Sequence, residues 1–181
     1  MADTQRTRTD LLTNLFQDGQ AANSITAQDM RDLIESLMAP HGSASLTANT
    51  TATTVAAGSV FYDVAGTWTV GGNPLFVTEA TTGRLTYTGT ATKCFMITST
   101  ASMTSGSSNQ ATNWAIAKNG TAVAPMIGRK IGTGSDEGAV AVSACIMLAT
   151  NDYVQLQMSN DTGANNVTAT EASIQMIGMP T

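Results

Sequence analysis

Catalysis and metal binding need titratable or nucleophilic side chains in groups, and this chain of 181 residues offers few of them. His41 is the only histidine and sits between Pro40 and Gly42, so neither a Ser-His-Asp relay nor a multi-histidine metal site can be assembled within one chain. Cys94 and Cys145 are the only cysteines. Each falls inside an apolar strand pattern, which reads as a buried reduced thiol in preference to half of a disulfide. Asp136, Glu137, Asp152 and Asp161 coincide with turn signals; they could offer oxygens to Ca²⁺ but lack the ligand spacing of a calcium loop, so they read as solvated turn residues. Gly132-Thr133-Gly134 has no lysine placed as in a phosphate loop and opens no helix. Asn-X-Thr triplets at Asn49, Asn119, Asn160 and Asn166 match glycosylation acceptors, yet MADTQRTRTD has no apolar signal-peptide core, so they read as chance matches. The expectation is a non-enzymatic protein without metal or cofactor, whose work is binding and assembly.

The elements that would carry these residues are strands. Between Gly138 and Asn160, Val140, Val142, Ala144, Ile146 and Leu148 recur at every second position, which puts them on one face of an extended chain. After the turn signal Thr150-Asn151-Asp152 the alternation resumes, with Val154, Leu156 and Met158 expected inward and Tyr153, Gln155 and Gln157 outward. This stretch reads as an antiparallel hairpin of a β-sandwich. Similar alternation occupies Val60–Val64, Leu85–Tyr87, Thr92–Met103, Trp114–Lys118 and Val167–Met179. Asn119-Gly120 predicts a type I′ turn, and Pro125 in the return strand predicts a sheet edge. Arg129-Lys130 and residues 132–137 are expected to form a loop. In all, about eight to ten strands follow residue 55 at sandwich spacing.

Composition agrees. Charged residues are 12% of the chain, about half the usual ~25% of globular proteins, which suggests extensive buried surface. A net charge of -5, with no run of Lys or Arg, argues against nucleic-acid binding. No apolar run approaches the ~18–20 residues that span a bilayer. A soluble chain made in the cytoplasm is expected. Many Met and Ala in strands with both faces apolar point to sheet faces left over for association between copies.

The first 42 residues are a different kind of object and hold nine of the twenty-one charged side chains. Leu11, Leu12, Leu15 and Phe16 have helical spacing and end at Asp18-Gly19. Thr26 is a good N-cap, with Asp29 at the third helical position and Ile25 placed to reach Met30. Met30, Leu33, Ile34, Leu37 and Met38 then define an apolar stripe on a helix over 27–38, opposite Gln28, Asp32 and Glu35. Two short helices cannot cover such stripes alone, so these residues dock on the β-body or on a partner. The expected organisation is a helical anchor (1–42), an extended connector (43–58) and a β-domain (59–181).

The order of signals from Gly83 to Ile177 resembles the jelly-roll heads of the tumour necrosis factor and complement globular-head superfamily. It rests on Lys93-Cys94-Phe95-Met96-Ile97, the Trp114–Gly120 hairpin, Leu148–Leu156 and Ser173–Ile177. That resemblance implies a homotrimer. The segment TDLLTNLFQDGQAANSITAQDMRDLIESL is similar to one that tailed-bacteriophage virion proteins carry ahead of β-rich modules. Together they imply a homotrimeric capsid decoration (cement) protein on the virion surface, assembled in the host bacterial cytoplasm and docked on the major capsid protein lattice. Its docking residues would be Leu11, Leu12, Leu15, Phe16, Ile25, Met30, Leu33, Ile34, Leu37 and Met38. The alternative is a short head or tail fibre, an adhesin for a host-surface glycan or protein.

Overall fold

The computed structural model describes residues 6, 8–15, 25–132 and 136–179. The N-terminal segment contains α1 (Arg8–Asp10), a π-helical turn (Leu11–Leu15) and α2 (Ala27–Leu37). The body contains β1 (His41–Leu46), β2 (Tyr62–Asp63), β3 (Thr69–Val70), β4 (Val77–Glu79), β5 (Leu85–Tyr87), β6 (Lys93–Ser105) and β7 (Gln110–Lys118). It continues with β8 (Thr121–Ile131), β9 (Gly138–Leu148), β10 (Tyr153–Asn160) and β11 (Val167–Gly178). Two antiparallel sheets form a jelly-roll sandwich. The first has the order β3-β1-β11-β6-β9; the second has the order β4-β5-β10-β7-β8, with β2 also paired to β10.

Alternation decides what each sheet buries. Along β6, Phe95, Ile97, Ala101 and Met103 face inward, while Met96, Thr98 and Thr100 face out. Ile146, Leu148, Ile174 and Met176 join them from the same sheet, and Trp114, Ile116, Val154, Leu156, Met158 and Leu85 meet them from the other. Aromatics are only 5% of the chain, but they are placed centrally: the Tyr87 and Phe95 rings meet edge-on at 4.9 Å across the two sheets. Burial pushes the Tyr87 hydroxyl pKa up to about 12, and the group donates to Ala91 O at 2.7 Å.

Turn chemistry follows the residues. Asn119 and Gly120 adopt φ of 50° and 80°, as the type I′ turn between β7 and β8 demands. Gly83 closes the turn ahead of β5 at φ 76°, and the Trp68 indole lies 2.6 Å from where a Cβ would stand. β8 is an edge strand, as Pro125 indicates.

Five expectations change. Gly138–Asn160 is not a hairpin: β9 pairs with β6 in the first sheet and β10 with β7 and β5 in the second, so the turn at Asn151 carries the chain across the sandwich. Period-2 patterning reports which face is buried, not which strand is the neighbour. Gln155 and Gln157 do point out from the core but are buried, because β10 lies inside its sheet and neighbouring loops cover it. Arg129 and Lys130 belong to β8 and not to a loop. Cys94 is half-buried and Cys145 exposed, both free, since they occupy the outward positions of their strands. Of the stretch read as a connector, residues 43–46 lie in β1, which pairs with β11 along its whole length. Asn49 ties the following residues down by donating to Ala65 O and Ala169 O.

Candidate interaction surfaces

The loop carboxylates serve the turns they stand in. Asp136 accepts from Gly132 N at 2.6 Å, and Asp161 accepts from the Asn113 amide. Asp152 accepts from the Asn119 amide at 2.7 Å and from Ala149 N at 2.8 Å, and it pairs with Lys118 at 2.9 Å. These bonds, the Asn119 amide foremost, hold its pKa down at about 2 against the opposing effect of burial. His41 is exposed at the start of β1 with Nδ1 2.9 Å from Ala39 O. Among the described residues no three His, Cys, Asp or Glu side chains gather as a metal site, and no helix is long and apolar enough to cross a membrane.

The N-terminal segment has the opposite arrangement to an ordinary surface helix. The capping box forms as Thr26 and Asp29 dictate, each side chain bonding the other's backbone N–H. The backbone and side-chain bonds from Thr26 lower the Asp29 pKa. The side of α2 that packs is the polar one. Asp32 is 1% exposed; its carboxylate meets Arg6 Nε at 2.9 Å and Gln28 Nε2 at 2.7 Å. Ser36 accepts from Arg6 N, and its carbonyl, near the C-terminal end of α2, accepts from Lys93 Nζ at 3.4 Å. Lys93 is buried, and desolvation lowers its pKa. A cation at a helix C-terminus satisfies orphan carbonyls and opposes the macrodipole.

The apolar stripe faces solvent. Leu37 is 73% exposed and Ile34 52%; Met30, Ile25 and Met38 are also exposed, and Leu33 is half-buried. Leu12, in the π-helical turn, is exposed and Leu11 half-buried. The Leu15 side chain and all of Phe16 lie outside the described residues. The structure thus presents Met30, Ile34 and Leu37 on α2, with Ile25 and Met38 exposed at its two ends.

Two further surfaces with exposed apolar side chains belong to the body. On the outer face of the first sheet, antiparallel register sets Cys94 opposite Met147, Met96 opposite Cys145 and Ile177 opposite Met96. Met147 and Ile177 are about half exposed. Towards the other end the face turns small: Ser45, Thr100, Ser102, Ala139, Ala141 and Ser173 line a shallow depression of about 560 Å³. The second surface is the β8 edge, where Met126 is 51% and Ile127 37% exposed. A long exposed apolar edge strand is a template for association. Sequence patterning marks these residues only as outward; the signal that could have found them is the unbroken apolar run Cys94-Phe95-Met96-Ile97, which suits a strand covered on both faces.

With these surfaces in view, no protein-family model and no curated protein matches the sequence. The body does match solved structures. Murine APRIL at pH 5.0 superposes with a TM-score of 0.51 at 9% identity, over 77% of this chain and 99% of that one. The same protein at pH 8.0 gives 0.50 at 10% identity, with the same coverage of both chains. The likeness is one of fold. Eiger TNF from S. frugiperda matches at a TM-score of 0.47 and 10% identity, over 77% of this chain and 93% of that one. At 9–10% identity the fold alone is shared, so the surfaces described above have to be argued on their own residues.

Proposed function

We propose that this chain is a non-enzymatic virion structural protein: a homotrimeric capsid decoration protein that docks on the major capsid protein lattice through its N-terminal segment. The observation that carries the reading is the orientation of α2, which buries Asp32 on its polar side against Arg6, bonds the body through the Ser36 carbonyl and Lys93, and leaves Met30, Ile34 and Leu37 in water. A stripe of that size on a folded body is a liability unless something covers it.

Trimer formation uses the other two surfaces. The outer face of the first sheet is broad and hollowed by small residues, whereas the β8 edge is narrow and carries Met126 and Ile127. Unlike surfaces pair head to tail, and a head-to-tail contact that closes makes a ring. The jelly-roll likeness is compatible with this. Three copies of α2 on one lattice position would add avidity, since each later contact forms at the effective concentration set by the first. Fully burying an aliphatic side chain contributes roughly 1.5–3 kcal/mol, and these are already part-buried, so three modest contacts suffice where one would not. The protein would assemble with the capsid in the host bacterial cytoplasm and lie on the outer virion surface.

The test is copy number together with deletion. Quantitative mass spectrometry of purified particles should find hundreds of copies, and a chain lacking residues 1–39 should remain a folded trimer that no longer binds particles. The second reading, a short fibre or adhesin for a host-surface glycan or protein, is favoured by one observation, a recess of about 230 Å³ on the second sheet lined by Asp63, Thr82, Arg84 and Gln155, and it calls for about a dozen copies at a tail or vertex. A monomer in light scattering at micromolar concentration would sink the trimer.

A further inference from the structure

The outward side of β10 carries two groups whose chemistry the fold leaves unfinished. Gln155 and Gln157 are 3% and 4% exposed, and the Oε1 atom of each has no hydrogen-bond partner. Gln157 is held firmly by its other end, since Nε2 donates to Asp63 Oδ1 at 2.7 Å and to Gly120 O at 3.2 Å. Buried amide oxygens are nearly always satisfied, and two idle ones at alternate positions of one strand need an explanation. Gln155 lines a recess of about 230 Å³ together with Asp63, the Val64–Gly66 backbone turn, Thr82 and Arg84. Arg84 stands with its guanidinium carbon 4.1 Å from the centroid of the Tyr153 ring, which fixes the charge at the mouth of the recess.

We propose that this recess binds one neutral sugar ring. Its volume falls below the ~300 Å³ at which drug-sized ligands begin to fit, so the occupant is small. An anion would meet Asp63 and a cation would meet Arg84. A polyol carries on each hydroxyl both the donor that an idle Gln oxygen lacks and the acceptor that a guanidinium seeks. One hydroxyl donates to Gln155 Oε1, a neighbouring one accepts from Arg84, and the C–H face of the ring lies against Val64 and Ala65. Asp63 keeps a carboxylate oxygen for a further hydroxyl while it holds Gln157. The recess opens on the second sheet, away from the outer face of the first, so the inference does not depend on how the chain associates or what it decorates.

The experiment uses the full-length ¹⁵N-labelled protein, titrated separately with methyl glucopyranoside, methyl galactopyranoside and N-acetylglucosamine to about 50 mM, because a single ring binds in the millimolar range. At least one sugar should shift the Gln155 side-chain amide and the backbone amides of Gly66 and Arg84. Gln155→Leu should lose at least about tenfold in affinity while melting at the same or a higher temperature, since it removes an unsatisfied acceptor from a buried position. Arg84→Met keeps the stem packed on Tyr153 and should lose affinity too, so the inference stays testable if the first variant folds poorly. Three results would overturn the inference: no sugar shifts these resonances, the shifts survive in both variants, or glycine, run as a zwitterionic control, binds in place of the sugars.

Discussion

The sandwich and the segment ahead of it treat apolar residues in opposite ways. In the body, alternation hides Phe95, Ile97, Trp114 and Leu156 between two sheets, leaving polar or small side chains for most outward positions. In α2 the carboxylate of Asp32 is hidden, and Ile34 and Leu37 are exposed. The same amphipathic principle therefore yields a closed core in one region and an unfinished one in the other. An unfinished apolar face that is held in place by hydrogen bonds is what the proposed docking role requires.

The sharpest way to break the contrast is to damage each region in turn. Phe95→Ala opens the centre of the core, where the ring meets Tyr87, and should lower stability by about 3–5 kcal/mol, read as a loss of denaturant midpoint at unchanged slope. Gly83→Ala strikes the body from the turn side. The new methyl would meet the Trp68 indole at a positive φ, and the expected loss is roughly 1–3 kcal/mol by the same measurement. Asp32→Ala should leave that midpoint almost unmoved. It should raise hydrogen exchange across Ala27–Leu37, because Arg6 and Gln28 would lose the carboxylate that they share. Faster exchange in the body as well would mean that α2 is part of the cooperative core, and the contrast would fail.

A smaller effect separates the two regions by pH. The Asp152 pKa is about 2 in the folded chain and 3.8 in its ordinary state, so the unfolded chain binds the extra proton first as pH falls. The stability that this carboxylate contributes is complete above about pH 4 and is lost between about 4 and 2. Asp152→Asn should flatten that part of the acid-unfolding curve of the body, with no change in exchange from α2.

Much of this was legible from residue order. The alternation of Val142, Ala144, Ile146 and Leu148 marked the buried face of β9, Thr26 and Asp29 marked the start of α2, and Asn119-Gly120 marked its turn. What period-2 patterning cannot carry is neighbour identity, so the crossing at Asn151 has the same sequence pattern as a hairpin. Nor does a helical stripe say which way it will face. Leu33, Ile34 and Leu37 looked like the docking side of α2 towards something, but whether that was the body depended on Lys93 and Arg6, one distant in sequence and the other in an unpatterned stretch. The recess beside Gln155 was invisible for a similar reason, because a glutamine at an outward strand position is ordinary until loops from Val64 to Arg84 close over it.

The central claim is that the exposed stripe of α2 is the face that docks on the virion. The direct measurement is a particle-binding titration of the full-length chain carrying Ile34→Asp and Leu37→Asp, beside its thermal melt. Both positions are exposed, so the melt should agree with that of the unaltered chain to within about 0.5 kcal/mol. Binding to particles stripped of the protein should fall by at least about a hundredfold, since each copy in an assembly would lose its contact. Undiminished binding by a variant that melts normally would contradict the account.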